Sequence, residues 1–292
     1  MRWDKFRRSS NVEQATGRGG GGLGFGGMPR LGIGGIIVIL IISWLTGTNP
    51  LQFLGLLSGG GALAPDSQPA ATAPDTSNDQ QHDFVRAVLG STEDVWGGIF
   101  RAGGASYVDP KLVLFSGSTP TACGTGQTAM GPFYCPGDQR VYLDLTFFNE
   151  LETRFNASGD FARAYVIAHE VGHHVQNLLG VFREVDQARR SGAAMEGASG
   201  LSVRQELQAD CFAGVWANQA QREMNFLEPG DVESALAAAS GVGDDTLQKQ
   251  SRGYAVPDSF THGSSEQRVR WFRTGFQSGD LGRCDTFKAA TL

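Results

Sequence analysis

Residues 168–180, AHEVGHHVQNLLG, place two imidazoles and a carboxylate within one short apolar stretch. On a helix, residues four positions apart lie about 40° apart around the axis, so His169 and His173 can offer two nitrogens to one ion. Glu170 lies one position further round, where its carboxylate can take a proton from a metal-bound water without entering the ligand set. The H-E-x-x-H spacing therefore predicts a hydrolytic zinc site. The alternative is a helix that carries three unrelated polar residues.

The third zinc ligand is predicted on a second helix, within the sequence ELQAD. A catalytic zinc usually has three protein ligands and one open position for water. The extended pattern H-E-x-x-H-x-x-G-x-x-H is excluded, because Gln176 and Leu179 occupy the positions of its Gly and last His. Glu206 and Asp210 share one helix face, so we predict that Glu206 binds the metal and that Asp210 accepts the free ring N–H of His169. The alternative, a solvated acidic stripe, fits poorly with the apolar residues around these acids.

A further histidine, His262 in THGSSEQRVRWF, precedes a predicted helix. We predict that it donates a hydrogen bond to the oxyanion of a tetrahedral intermediate, with Arg268 bracing the site nearby. The alternative is a helix-capping or exposed histidine. His174 points about 100° around the helix axis from His173, and His82 lies at the junction of a predicted linker and the domain. Neither is given a role.

The elements that must position these residues are mostly helices. The domain, expected over residues 82–292, opens with two helical stretches, DFVRAVLG and STEDVWGGIFRAGG, the second capped by Ser91. Later helices are predicted from Asp160 until Gly180 and from Ser202, where a capping box begins. Short β-like runs lie between: residues 111–117, 131–135 and 140–145, the last two forming a hairpin. The predicted fold class is α+β, dominated by helices and with a small sheet.

The first 81 residues are predicted to lie outside that domain. They divide into a basic, glycine-rich cytosolic tail (1–27), a transmembrane anchor region (28–57) and a disordered linker (58–81). Residues 31–45 carry no charge, and extension to residues 28–48 reaches the roughly twenty residues that span a bilayer. The basic flank predicts a cytoplasmic N-terminus and a periplasmic or extracellular catalytic domain. A buried core helix or a cleaved signal peptide is the alternative, but Pro65 directly follows the small-residue pattern of a cleavage site.

The four cysteines fit an exported location, where disulfides persist. Four cysteines allow three pairings. Cys123 and Cys135 are close enough in sequence for a local disulfide, which leaves Cys211 to tie an earlier helix to Cys284 near the end of the chain. The alternative is four unrelated buried thiols.

HEVGH and ELQAD resemble the gluzincin metallopeptidases, in which two helices supply His, His and Glu to zinc. The order of GPFYCPGD, VYLDLTFF, AHEVGHHVQ, ELQADCFAG and THGSSEQRVRWF is similar, over nearly the whole chain, to the YpfJ-like family of bacterial neutral zinc metallopeptidases. The resemblance implies a zincin-like fold, in which a sheet edge such as residues 141–145 lines the cleft and pairs with an extended peptide. It also implies functional roles for these residues of the chain: His169, Glu170, His173, Glu206, Asp210 and His262.

The predicted function is that of a membrane-anchored peptidase with one zinc ion, acting on a peptide or protein substrate. Zinc lowers the pKa of bound water towards about 7, and Glu170 serves as the general base. The net charge is −6 and the basic residues cluster near the N-terminus, which argues against nucleic-acid binding by the domain. The alternatives are a zinc amidase acting on cell-wall or other non-protein amides, and a non-catalytic envelope module in which zinc staples two helices.

Overall fold

Helices outnumber strands in the computed structural model, which describes residues 1–15 and 76–292 of the chain. This described part contains eight α-helices: α1 (Thr76–Ala102), α2 (Phe147–Thr153), α3 (Asp160–Leu178), α4 (Val181–Arg190), α5 (Leu201–Met224), α6 (Asp231–Gly241), α7 (Asp244–Arg252) and α8 (Ser265–Ser278). The predicted helix-dominated α+β class is confirmed.

Six strands form two small sheets in the same residues: β1 (Val12–Gln14), β2 (Lys111–Phe115), β3 (Ser118–Thr121), β4 (Gly124–Gln127), β5 (Phe133–Cys135) and β6 (Arg140–Asp144). The larger sheet has the order β1-β2-β6-β5, with β5 antiparallel to β6 and the other pairs parallel. The expectation that residues 141–145 form the sheet edge is wrong. Tyr142 of β6 lies between Val113 of β2 and Phe133 of β5, so both sides of β6 are paired. The edge strands of this sheet are β1 and β5.

Helix α3 packs against α5 at the centre of the core, and its side chains are buried almost all round. The approach of the two helices depends on Gly172. A Cβ atom at this position would lie 2.9 Å from the carbonyl oxygen of Ala209 on α5. A larger residue would therefore push the two helices apart, because a packed core has little free volume to absorb the extra atoms.

Two disulfides join elements around this core. Cys123 pairs with Cys135 at the end of β5, and Cys211 of α5 pairs with Cys284 in the single 3₁₀ turn that follows α8. These are the two pairings that the spacing predicts. The second bond fixes the chain's C-terminal segment against the helix that carries Glu206.

Residues 1–15 pack on the domain, although the sequence predicts a separate tail over residues 1–27. Phe6 is buried beside Phe226, with ring centroids 4.9 Å apart, and β1 extends the larger sheet. Arg7 binds the buried carboxylate of Glu93 on α1 at 2.6 Å. The prediction is therefore wrong for these residues, because their basic side chains pair with acids of the domain instead of remaining in solvent.

Helix α1 is continuous, whereas the sequence predicts a linker up to residue 81 and two helical stretches meeting at Gly90. A Cβ at Gly90 would lie 2.2 Å from the carbonyl oxygen of Arg7. Ser91, the predicted cap, lies inside the helix and accepts a hydrogen bond from Trp216 Nε1 at 3.1 Å. The glycine thus permits docking of the N-terminal segment and does not end a helix.

The predicted membrane anchor, residues 28–57, lies outside the described residues. Within the described ranges, no helix combines the length and the apolar character needed to cross a bilayer. Residues 1–15 and 76–292 belong to one compact unit. Strand β1 of the first range pairs with β2 of the second, so the larger sheet joins the two ranges.

Candidate metal centre

Two imidazoles from α3 and one carboxylate from α5 meet in the core. Ligand atoms of His169, His173 and Glu206 all lie within 4.8 Å of one another. The Nε2 atom of His169 is 3.2 Å from Glu206 Oε2, and that of His173 is 3.4 Å from Glu206 Oε1. Helical spacing brings the two imidazoles together, and the close contact of α3 with α5 adds the carboxylate from 33 residues further along the chain.

These three groups fit a zinc ion. Ligand atoms at tetrahedral distances of about 2.0–2.1 Å from zinc lie roughly 3.4 Å from one another, close to the 3.2 and 3.4 Å separations in the site. Two imidazole nitrogens and a carboxylate oxygen are also a donor set of known catalytic zinc sites. Burial would raise the pKa of Glu206, but the His173 and His169 rings hold that pKa well below its usual range. The carboxylate is therefore ionised, as ligation requires.

His169 is oriented by a buried charged network. Its Nδ1 atom is 2.8 Å from Asp210 Oδ1, which also accepts a hydrogen bond from the Tyr165 hydroxyl at 2.5 Å. Arg268 of α8 donates to both carboxylate oxygens of Asp210, from Nε and Nη2, at 2.9 Å each. Asp210 thus lies where the sequence predicts it, and Arg268 lies near the site as expected, where it pairs with Asp210.

The ion pair in this network keeps both of its members charged. Burial would raise the pKa of Asp210, but the Arg268 guanidinium and the His169 ring lower it to about 2. Burial likewise opposes the charge on Arg268, and Asp210 holds the pKa of that guanidinium above its usual range. An ionised Asp210 can only accept, so His169 carries its proton on Nδ1 and turns Nε2 toward Glu206.

His173 is oriented by neutral amides instead. Its Nδ1 atom is 2.8 Å from Gln176 Oε1, one turn further along α3. The Gln176 amide nitrogen donates to the backbone oxygen of Gln205 at 2.7 Å and to Gln208 Oε1 at 3.0 Å. Gln208 in turn donates to the backbone oxygen of Cys284 at 3.0 Å. A chain of amides therefore links the second imidazole to the disulfide-bonded C-terminal turn.

Glu170 lies beside the three ligand groups and lines an adjoining cleft of about 640 Å³. Its side chain is buried, at 7% exposure. Burial raises the pKa of Glu170, while the positive charge that the His169 and His173 rings can carry opposes the rise. A carboxyl group with a raised pKa, next to a metal site and open to a cleft, is suited to taking up and returning a proton.

His262 reaches the same cleft from the loop between α7 and α8 and is half-exposed. Its Nδ1 atom is 3.4 Å from Asp244 Oδ1. The other oxygen of Asp244 accepts the backbone N–H groups of Thr261, His262 and Gly263 at 2.7, 2.6 and 3.0 Å. Hydrogen bonding to Asp244 raises the pKa of His262. The loop thus presents a histidine whose position is fixed by one buried carboxylate.

Comparison with known proteins assigns the chain to a family. Residues 1–287 match the family described as "Putative neutral zinc metallopeptidase". The chain belongs to this neutral zinc metallopeptidase family. It is 48% identical to the Escherichia coli K12 protein named "Uncharacterized protein YpfJ" over 289 residues, 98% of this chain and 99% of that protein. It is 47% identical to the Mycobacterium tuberculosis protein named "Uncharacterized protein Rv2575" over 218 residues, 71% of each chain. No solved structure matches it.

The cleft of this member of the neutral zinc metallopeptidase family is walled mainly by apolar and aromatic side chains. They come from the segment before β5, from β5 itself and from several helices: Met130, Phe133, Tyr134, Phe147, Phe155, Val166, Phe182, Val242 and Leu247. Val166 lies one helical turn before Glu170, so the apolar lining begins directly beside the proposed base. Such a surface suits the side chains of an unfolded peptide.

Two residues with direct roles in the geometry escaped the sequence analysis. The sequence analysis used Gln176 only to exclude the extended zinc-binding pattern and did not predict its contact with His173. The signal was available, because a residue three positions after His173 lies on the same helix face. Asp244 gave no local signal, because it lies 18 residues before His262. Its function depends on a loop conformation that only the folded chain defines.

Proposed function

We propose that this chain is a zinc-dependent peptidase whose metal ligands are His169, His173 and Glu206. One observation carries the proposal: the three ligand groups converge at a cleft that Glu170 and His262 also line. Zinc held there would polarise a substrate carbonyl and make a water molecule more acidic. Three protein ligands leave the remaining tetrahedral position for water or substrate.

Glu170 acts as the general base in this proposal. Its carboxylate takes a proton from the attacking water and later delivers it to the departing amine. The raised pKa of Glu170 favours holding that proton between the two events. His262, aligned by Asp244, donates a hydrogen bond to the carbonyl oxygen as that oxygen gains negative charge.

The substrate proposed for this site is an extended, unfolded peptide. Strand β5 is an edge strand of the larger sheet, and its residues Phe133 and Tyr134 line the cleft. Backbone groups at a sheet edge can pair with an added strand. The apolar lining favours peptides with bulky apolar side chains close to the bond that is cleaved.

Two other functions use the same groups. A zinc amidase for cell-wall or other non-protein amides would share the chemistry and differ in what the cleft accepts. A zinc-stapled, non-catalytic module is less well supported, because structural zinc sites are closed by four protein ligands. Within residues 1–15 and 76–292, the cluster of candidate ligands contains three residues.

The test is the Glu170→Gln variant of the full chain. We expect it to retain one zinc ion per chain, measured by elemental analysis, and to lose at least about a thousandfold in peptide cleavage. The matched control is Glu152→Gln, which removes a carboxylate from an exposed site on α2 and should cleave at the wild-type rate. Full turnover by Glu170→Gln would exclude Glu170 as the base. Cleavage of cell-wall fragments but of no peptide would favour the amidase.

We propose an exported, membrane-associated location for the folded unit. The two disulfides support export, and the uncharged residues 31–45 support membrane association. The packing of residues 1–15 on the domain supports the proposal that both lie on the same side of the membrane. Single cysteines at the exposed positions Ser10 and Lys288 should then react equally with an impermeant thiol reagent in intact cells. Labelling of only one position would contradict a shared side.

A further inference from the structure

The third histidine of α3, His174, lies buried on another side of the helix from the metal ligands and takes no part in the proposed reaction. Its Nε2 atom is 2.6 Å from the backbone oxygen of Val108, and its Nδ1 atom is 3.1 Å from the Tyr134 hydroxyl. The Asn177 amide donates to the same hydroxyl oxygen at 3.0 Å. We call the side chains of Tyr134, His174 and Asn177 the edge clamp.

The direction of each hydrogen bond in the edge clamp follows from chemistry. The carbonyl oxygen of Val108 can only accept, so His174 donates from Nε2. The Nδ1 atom of the neutral ring is then an acceptor, and the Tyr134 hydroxyl donates to it. The hydroxyl oxygen still has lone pairs for the Asn177 amide. All these polar atoms are satisfied, which makes the edge clamp a defined connection and not an incidental contact.

The edge clamp joins the metal helix to the strand at the sheet edge. Tyr134 is the central residue of β5, which has three residues and pairs on one side with β6. A short strand with one neighbour is held weakly by its ladder alone. Two hydrogen bonds from α3 to Tyr134 therefore fix the separation between β5 and the helix that carries His169 and His173.

We propose that the edge clamp positions β5 as the docking strand for the substrate, so that a peptide paired with this strand presents its scissile carbonyl to the metal. His174, Asn177 and the Tyr134 hydroxyl are positioning groups in this proposal, and their effect grows with the length of peptide that lies along β5. The inference rests on the proposed peptidase function. It adds the residues that hold β5 in place, and it predicts that their effect separates extended peptides from short amides that need no docking strand.

The test compares Tyr134→Phe with the wild type. This substitution removes the clamped hydroxyl and keeps the ring, which packs against Phe182 with centroids 6.0 Å apart. We expect KM for an unfolded peptide of about ten residues to rise five- to tenfold more than KM for a blocked dipeptide, with zinc content unchanged. Tyr142→Phe is the matched control: it removes a partly buried hydroxyl from the adjacent strand, bound to Asp138 at 2.8 Å, and should leave both KM values unchanged.

A binding measurement separates failure of the edge clamp from failure of the proposed function. The long peptide, carrying a fluorophore, is titrated with zinc-loaded Glu170→Gln protein, with and without Tyr134→Phe. A five- to tenfold weaker Kd in the double variant supports the edge clamp even if the wild type cleaves no peptide. An unchanged Kd, no binding in either protein, or an equal loss in Tyr142→Phe would overturn it. Loss of zinc from Tyr134→Phe would also overturn it, because the hydroxyl would then support the metal and not the strand.

A double-mutant cycle with His174→Gln tests whether the groups act as one unit. When the Gln amide nitrogen donates to Val108, the amide oxygen on the same group does not occupy the position of Nδ1, so the acceptor that faces Tyr134 is lost. We expect Tyr134→Phe to add less than a twofold change to KM for the long peptide in this background. Independent effects that multiply would show that the two residues act separately and would contradict the edge clamp.

Discussion

The two imidazoles of the candidate metal centre come from one helix, but one is held by charged side chains and the other by neutral amides. His169 is held by Asp210, whose charge is balanced by the buried guanidinium of Arg268 on α8. His173 is held by a neutral chain that begins at Gln176 and ends at the backbone of Cys284. Both arrangements occupy Nδ1 and leave Nε2 facing Glu206, so equivalent ligand geometry is reached with different electrostatics.

The difference indicates which of the two supports costs more stability and metal affinity when it is broken. A buried ion pair is costly to desolvate, and removal of one partner leaves an uncompensated charge in the core. A neutral amide chain loses only hydrogen bonds when it is broken. We call Asp210 and Arg268 the charged arm and Gln176 and Gln208 the neutral arm. The charged arm, at His169, should therefore contribute most to stability and metal affinity, and the neutral arm, at His173, should contribute less. The predictions below test that ranking.

The largest effect is expected for Arg268→Met, which keeps much of the side-chain volume but leaves Asp210 without its counter-charge. We expect the free energy of unfolding to fall by about 3–5 kcal/mol. Urea denaturation with zinc at equal excess measures the change, since bound metal itself stabilises the fold.

Arg273→Met is the matched control, because Arg273 lies on the same helix with its side chain exposed. It should change stability by less than about 0.5 kcal/mol. A loss below about 1 kcal/mol for Arg268→Met would mean that the charged arm is not the dominant support of the site.

The next effect, on zinc affinity, is expected for Asp210→Asn, which keeps the shape of the side chain but removes its charge and leaves Arg268 without its partner. An amide in that position accepts from Nδ1 of His169 more weakly and no longer raises the basicity of the ring. Zinc affinity should fall about 10–100-fold, as is typical when an outer partner of a ligand is changed. Competition with a chelator measures this constant, and an unchanged zinc affinity would show that Asp210 is not part of the metal centre.

The smallest effect is expected for Gln176→Leu, which removes the acceptor for His173 Nδ1. One neutral hydrogen bond contributes about 1 kcal/mol, so zinc affinity should fall about fivefold in the same competition assay. Gln187→Leu, at an exposed position of α4, serves as the control with no expected change. A fall for Gln176→Leu larger than that for Asp210→Asn would reverse the proposed ranking of the two arms.

The sequence predicts those parts of the site that depend on local spacing. His169 and His173 share a face because α3 is a regular helix, and Glu206 and Asp210 do so for the same reason on α5. The class of fold and the Cys123–Cys135 pairing also follow from local patterns, and the Cys211–Cys284 pairing, across 73 residues, follows by elimination. These features need only the periodicity of a helix and the reach of a disulfide.

The sequence does not predict contacts whose partners lie far apart in the chain. Arg268 meets Asp210 across 58 residues, and nothing local to either residue indicates that pairing. Residues 1–15 carry a basic charge typical of a membrane flank, yet Arg7 pairs with Glu93, 86 residues away. The sheet edge was assigned to the wrong strand because a hairpin sequence does not reveal which of its strands gains a second neighbour.

The central claim is that one zinc ion is bound by His169, His173 and Glu206 with a further position open to solvent. X-ray absorption at the zinc K-edge of the full-length protein tests it most directly. We predict four nitrogen or oxygen ligands at about 2.0–2.1 Å, two of them imidazoles, and a changed first shell in Glu206→Gln. A sulfur ligand at about 2.3 Å, or a first shell that Glu206→Gln leaves unaltered, would contradict the account.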